Sequence, residues 1–157
     1  MMSDTYIPQS VPVEKPLVMF NQAFQHGWFR RLWARLTRSC FCLQDLAETL
    51  ETCPVAASHY AGIKTVNIDR IHGTLGKADE FDAEFNPIQE RSRTRWMGIA
   101  LEKLRGRDLP PVELVQVDDT YYVRDGHHRI SVSRALGQNF IEAEVTIMRL
   151  QQQHLIR

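Results

Sequence analysis

A short polar run, Asp125 to Arg129, carries the side chains of this sequence that are best suited to chemistry. It lies where a β-type segment ends and a helix is predicted to begin. A helix start presents unpaired backbone N–H groups and the positive end of the helix dipole, which together stabilise a phosphate. Gly126 permits close approach of the backbone, and Arg129 offers donors that match phosphate oxygens. The run therefore predicts a phosphate site formed by Gly126, His127, His128 and Arg129.

Ordinary structural roles are also open to these side chains. Asp125 can act as a catalytic base, or it can cap the helix by accepting a hydrogen bond from a backbone N–H two or three positions on. Arg129 can pair with Asp125 at helical spacing instead of contacting a phosphate. Successive helical residues point about 100° apart. His127 and His128 are therefore not expected to chelate one ion, and no metal site is predicted.

The segments around the run predict the elements that must position it. Two prolines force an extended approach to a strand, a turn at Asp118 and Asp119 follows, and a second strand leads back to the run. A helix is predicted from about His127 to Leu136, with Gly137 at its end and a last strand after it. The predicted strands are Val112–Val117, Tyr121–Val123 and Ile141–Val145.

The run and its flanks resemble the core of the ParB/sulfiredoxin superfamily. The resemblance covers about residues 63–145 and depends on the run itself, on the preceding hairpin, and on two following segments, Ala135–Gly137 and Ile141–Ala143. It implies an α+β fold with a ParB/sulfiredoxin-like core, that is, a small mixed sheet with packed helices. It also implies that phosphates of a nucleotide or nucleic acid bind at this helix start. ATP or CTP, with Mg²⁺, are the ligands that this resemblance implies.

Branches of the superfamily differ at the position of His127. Partition proteins have glutamate there and sulfiredoxins have their nucleophilic cysteine, so neither site-specific partition nor sulfinate reduction is expected of this chain. The free serine kinase branch also carries Asp-Gly-His-His-Arg, and its aspartate is implicated in activating the substrate hydroxyl. That resemblance implies a small-molecule kinase, or a nuclease, acting through Asp125. The branch also uses a glutamate after the first strand, for which this chain offers Asp79 and Glu80.

Upstream of the hairpin, the alternation of Lys64–Asp69 predicts a strand, which is followed by a two-glycine loop, His72–Lys77. Lys77 can reach a phosphate as a point charge, or it can be an ordinary surface lysine beside a turn. Four carboxylates then alternate with Phe81 and Phe85. They indicate an acidic solvent face over two core aromatic rings, with Mg²⁺ binding by one carboxylate as the alternative. These carboxylates are Asp79, Glu80, Asp82 and Glu84.

The N-terminal part of the sequence predicts two helices that form a hairpin on or beside the core. The first, from Phe20 to about Arg38, separates apolar from basic side chains, and the second spans Leu43–Thr52. Four aromatic residues, Trp28, Phe29, Trp33 and Trp96, are expected in the core rather than as platforms for base stacking, although exposed tryptophans on the first helix could stabilise a homodimer.

Arginines on the first helix, and on a further helix predicted from about Arg91 to Arg105, form a basic surface. Such a surface can bind the phosphates of DNA or RNA, and a solvated helix face is the alternative. The candidate contacts are Arg31, Arg35, Arg91 and Arg95.

Composition sets outer bounds on the function. The 157 residues are 43% hydrophobic, and 19 basic residues balance 19 acidic ones, which excludes the overall basic excess of a dedicated nucleic-acid binder. The predicted division is a tail over 1–16, a helical extension over 17–62 and a ParB/sulfiredoxin-like domain over 63–157. The odd number of cysteines, without a Cys-x-x-Cys pair, favours the cytoplasm. No apolar segment has the length of a membrane span, so a membrane partner is not expected.

Overall fold

The computed structural model describes residues 11–12, 14–37, 43–76 and 79–151. The helices are α1 (Glu14–Thr37), α2 (Leu46–Thr52), α3 (Arg93–Leu104) and α4 (His127–Ala135). The strands are β1 (Gln44–Asp45), β2 (Val55–Asn67), β3 (Ile71–Thr74), β4 (Val112–Val117), β5 (Thr120–Asp125) and β6 (Phe140–Leu150). Short 3-10 turns occupy Ile68–Arg70 and Glu90–Ser92. No helix within these ranges is long and apolar enough to cross a membrane.

The strands form one mixed sheet in the order β1-β3-β5-β4-β6-β2. The predicted hairpin is the antiparallel pair of β4 and β5, and β4 also pairs in parallel with β6. On the other side of the hairpin, β3 pairs in parallel with both β5 and β1. The predicted α+β class, with a small mixed sheet and packed helices, is confirmed.

The helices cover the sheet from both sides. Successive strand residues point to opposite faces, and β5 shows this division clearly. Val123 belongs to the core cluster that includes Ile130 of α4. Its neighbour Tyr122 belongs instead to the cluster that includes Leu46 of α2. Helix α4 and helix α2 therefore lie on opposite faces of the sheet.

The prediction that the two N-terminal helices, α1 and α2, form a hairpin is wrong. Helix α1 packs against α3, where Phe20 meets Trp96 with ring centroids 5.6 Å apart. Helix α2 lies on the other face of the sheet instead, where Leu46 packs with Tyr122. Its start adjoins the edge strand because Asp45 of β1 accepts a hydrogen bond from the Ala47 N–H. The tryptophans are divided as well, since Trp96 is fully buried, whereas Trp28 and Trp33 are exposed.

Three segment boundaries differ from the sequence prediction. Helix α1 begins at Glu14, within the predicted tail, and the rest of that tail before residue 11 lies outside the described residues. Strand β2 begins at Val55 and runs through the predicted boundary at residues 62 and 63, because its whole length pairs with β6. The predicted loop after it contains β3, which lies between β1 and β5.

Gly73 in β3 leaves less room for a side chain than any other glycine of the described chain. A Cβ there would lie 2.4 Å from the carbonyl oxygen of Gln44 and 2.5 Å from the ring of Tyr122. Overpacking of this kind typically costs 1–3 kcal/mol, so we expect Gly73→Ala to lower the free energy of unfolding by about 2 kcal/mol. Urea denaturation followed by circular dichroism measures the change.

The control for Gly73→Ala is Gly98→Ala on α3, where an added Cβ meets no atom within 4 Å. Alanine is the better helix former, so this control should raise stability by about 0.5–1 kcal/mol. Equal effects of the two substitutions would contradict the tight packing of β3.

Candidate functional site

The junction between β5 and α4 is built around Gly126. This residue is buried, adopts a left-handed conformation with φ of 101°, and serves as the N-cap of α4. A Cβ at this position would lie 2.6 Å from Cγ1 of Val112. Only glycine meets both demands without strain, since L-residues with a Cβ disfavour positive φ. The junction therefore requires glycine because Val112 fills the space beside its Cα, and approach of a phosphate to this backbone stays a prediction.

Asp125 does not cap this helix, so the capping prediction is wrong. The N-cap residue of α4 is Gly126, which has no side chain to supply a capping hydrogen bond. The Asp125 carboxylate instead accepts a hydrogen bond from Nη2 of Arg129 at 2.7 Å, and the two side chains form an i,i+4 ion pair. A charged guanidinium attracts the carboxylate more strongly than a neutral backbone N–H does.

Arg129 is held on two sides. Its Nη1 donates to the carbonyl oxygens of Pro110 and Pro111, at 2.5 and 2.7 Å, and its side chain is 14% exposed. These contacts tie the first turn of α4 to the proline segment that leads into β4. The predicted ion pair with Asp125 is present, and phosphate binding by Arg129 stays a prediction.

Both histidines of the run are buried. His127 places Nε2 2.7 Å from Oγ1 of Thr74 in β3, and its ring stacks on Phe81 with centroids 6.0 Å apart. His128 meets the same phenyl ring edge-on, with centroids 5.0 Å apart. The two imidazoles thus pack between α4, β3 and Phe81. Their rings are therefore buried and not exposed at the helix start.

A cleft of about 360 Å³ lies beside Arg129. Lys103, at the end of α3, lines it and donates from Nζ to Oγ of Ser133 at 2.6 Å and to Oε1 of Gln138 at 2.7 Å. Burial lowers the pKa of Lys103, because partial desolvation disfavours the ammonium. Within the described chain, Lys103 forms no ion pair. Sequence reasoning missed this cation, since nothing local to α3 indicates that it meets α4.

The acidic segment before α3 is only partly the predicted solvent face. Asp79 and Glu84 are exposed, but Asp82 is fully buried. Its carboxylate accepts hydrogen bonds from the N–H groups of Glu84 and Asn86, and it pairs with Arg30 at 3.2 Å. A buried carboxylate needs such partners. Asp82 therefore fixes a turn, and its oxygens are occupied by protein donors.

The remaining candidates are dispersed. Glu80 and Asp79 both pair with Arg91, at 3.9 and 3.5 Å, so the charge of Arg91 is partly neutralised. Lys77, Cys40 and Cys42 lie outside the described residues, and Cys53 is a free thiol.

Across the described ranges, no group of three or more His, Cys, Asp or Glu side chains could hold a metal ion. The exposed candidates without an ion pair to any described residue are Arg31, Arg35 and Arg95.

Comparison with known proteins gives one partial likeness. No protein-family model matches the chain, and no curated protein matches it. Among solved structures, the sulfiredoxin of Arabidopsis thaliana is similar with a TM-score of 0.41 and 19% sequence identity, over 53% of this chain and 82% of the sulfiredoxin. A likeness of this extent identifies no ligand.

Proposed function

We propose that this chain binds a nucleotide and holds its phosphates at the N-terminus of α4. The observation that carries the proposal is the start of this helix, which begins at the left-handed Gly126 without a side-chain cap. The first backbone N–H groups of a helix have no partner within it, and the helix dipole adds positive potential at the same place. A phosphate bound there would take the place of the cap.

Two cations support this position for an anion. Arg129 lies on the first turn of α4, and Lys103 contacts the same helix one turn further on, through Ser133. Both line the cleft, whose volume is within the range of about 300–1,000 Å³ that is usual for ligand pockets. An anion in the cleft would also offset the desolvation of the Lys103 ammonium. The cleft adjoins the helix start at Arg129 and also contains Asp108 and Glu142, and Arg129 and Lys103 are side chains in it that would attract a phosphate.

ATP or CTP with Mg²⁺ is the ligand class that we propose. Mg²⁺ in nucleotide sites is held mainly by phosphate oxygens and water, with only one or two carboxylates from the protein. Asp125 is the carboxylate at this helix start, and its side chain is 45% exposed. A site of this kind does not require a preformed cluster of metal ligands.

The test is a thermal-shift screen of ATP, CTP and inorganic phosphate, with and without Mg²⁺, on the wild-type chain and on Arg129→Gln. Ligand at about 100 times its Kd stabilises a protein by about 2.7 kcal/mol, which for a chain of this size raises the Tm by roughly 5–10 °C. We expect that rise for wild type and its loss in Arg129→Gln.

The matched control for Arg129→Gln is Arg134→Gln. Arg134 lies on the same helix but binds the carbonyl oxygen of Ile68 at 3.0 Å, away from the helix start. This control should keep the full ligand-induced rise. Absence of a shift with every nucleotide, or equal losses in the two variants, would refute the proposed phosphate site.

A small-molecule kinase or nuclease is the second candidate, and the exposed Asp125 carboxylate beside Arg129 favours it. A carboxylate next to a bound phosphate can accept a proton from an attacking hydroxyl or water. Asp125→Asn separates the two candidates. Measured without Mg²⁺, nucleotide binding should be unchanged or tighter in Asp125→Asn for both candidates, because a negative charge is removed. Only an enzyme would show phosphate transfer or phosphodiester cleavage that this substitution abolishes.

A further inference from the structure

The last three turns of α1 carry an apolar stripe that the protein leaves in solvent. Its five large side chains are between 44% and 73% exposed. An amphipathic helix on a globular protein normally turns its apolar side toward the core. Exposed apolar patches of this kind mark sites of interaction. The stripe consists of Trp28, Phe29, Leu32, Trp33 and Leu36.

The stripe faces directly away from the body of the protein. Gly27 is buried against the body, and a Cβ there would lie 3.0 Å from the carbonyl oxygen of Pro87. Arg30, on the same side, pairs with the buried Asp82. At about 100° per residue, the centre of the stripe lies opposite these two residues. The stripe is therefore a convex ridge, and it is free to meet a broad surface.

One flank of the ridge is cationic. Arg31 and Arg35 follow Trp28 by three and seven residues, so they lie beside it on the helix surface. Both are exposed and form no ion pair within the described chain. The sequence has no acidic residue between Lys15 and Thr37. A partner for this ridge must supply an apolar phase and negative charge side by side.

We propose that this ridge docks the protein onto an anionic phospholipid bilayer, with α1 lying in the plane of the headgroups. Helices with arginine beside tryptophan, phenylalanine and leucine bind in this way, because the acyl boundary receives the apolar side chains while the lipid phosphates pair with the arginines. The nine residues of the ridge span about 14 Å at 1.5 Å per residue, far less than a bilayer core of about 30 Å. Docking of this kind needs no membrane-spanning helix.

Other occupants fit the ridge less well. A second copy in a twofold dimer would place the same surface against itself. This brings arginines together, and the ridge itself, from Trp28 to Leu36, has no carboxylate to pair with them. Nucleic acid would satisfy the arginines, but its backbone offers no apolar phase for Leu32, Trp33 and Leu36. This inference is independent of the proposed nucleotide site, because α1 and α4 present different surfaces.

The test is flotation of the full chain with vesicles of phosphatidylcholine alone, or with about one third phosphatidylglycerol. Wild type should bind the anionic vesicles at least about tenfold more strongly than vesicles of phosphatidylcholine alone, and this binding should weaken with added salt. Tryptophan emission should shift to the blue on binding. Trp33→Ser combined with Leu36→Ser should reduce that binding about tenfold or more, since each buried apolar side chain contributes strongly to transfer. Arg31→Gln combined with Arg35→Gln should remove the preference for anionic lipid.

The matched controls carry equivalent changes elsewhere on the surface. Tyr60→Ser combined with Ile63→Ser removes two exposed apolar side chains from β2, and Arg95→Gln combined with Arg149→Gln removes two exposed charges. Both should bind vesicles as wild type does, and thermal melts should show every variant folded. Failure to bind anionic vesicles overturns the proposal. A dimer in analytical ultracentrifugation that dissociates in the Trp33→Ser, Leu36→Ser variant would also overturn it. Binding of RNA or DNA that needs Arg31 and Arg35, without binding of lipid, would overturn it too.

Discussion

Gly126→Ala is expected to lower the free energy of unfolding by about 3–4 kcal/mol. Two costs add at this residue. An L-side chain at φ of 101° is strained by about 1–2 kcal/mol, and a Cβ 2.6 Å from Cγ1 of Val112 requires repacking worth about 1–3 kcal/mol. Urea denaturation of the purified variant measures the loss. The variant should also lose the ligand-induced rise in Tm, because relief of the clash displaces the start of α4.

The control for Gly126→Ala is Gly137→Ala at the other end of α4. Gly137 has φ of 72°, close to the same left-handed region, but an added Cβ meets no atom within 4 Å. Only the backbone cost applies there, so the expected loss is about 1 kcal/mol. Equal losses in the two variants would show that conformation alone matters at Gly126 and that the contact with Val112 does not.

The junction around Gly126 was predictable because its signals are local in the sequence. Pro110 and Pro111 force an extended chain, Asp118 and Asp119 mark a turn, and a glycine follows the second strand. Helix and strand assignments from β4 to α4 therefore agree with the structure, whereas β6 continues five residues past the predicted end at Val145, to Leu150. The ion pair of Arg129 with Asp125 was among the predicted alternatives for the same reason, since i,i+4 spacing brings the two side chains together.

The burial of the two histidines was not predictable from the run alone. It depends on Phe81 and Thr74, which reach α4 only when β3 lies beside β5. The same applies to Lys103, whose contacts with Ser133 and Gln138 depend on how α3 packs on α4. Periodicity identifies residues on one face of a helix, but it does not identify the neighbour that the face meets.

Helix α1 illustrates that limit most clearly. Its sequence predicts an apolar face, and covering that face by α2 was a reasonable expectation for two consecutive helices. The structure instead turns Gly27 and Arg30 toward the body and uses Phe20, near the other end of the helix, for packing on α3. One helix thus has two different apolar faces along its length. Only tertiary contacts, above all the buried Asp82, decide which side of the second half meets the protein.

The two halves of α1 differ in what covers them: Phe20 packs on the buried Trp96 of α3, whereas Trp28 is exposed. Replacing each of these tryptophans by alanine should therefore have very different effects on the free energy of unfolding. Trp96→Ala should lower the free energy of unfolding by about 4 kcal/mol, because the indole is fully buried against Phe20 and its Nε1 donates to Oγ of Ser131 at 2.8 Å. Trp28→Ala should change it by less than about 0.5 kcal/mol, since that indole is 54% exposed on the ridge. Urea denaturation of both variants checks the pair. A large loss for Trp28→Ala would mean that the ridge packs within the folded chain, and it would remove the physical basis for lipid docking as well.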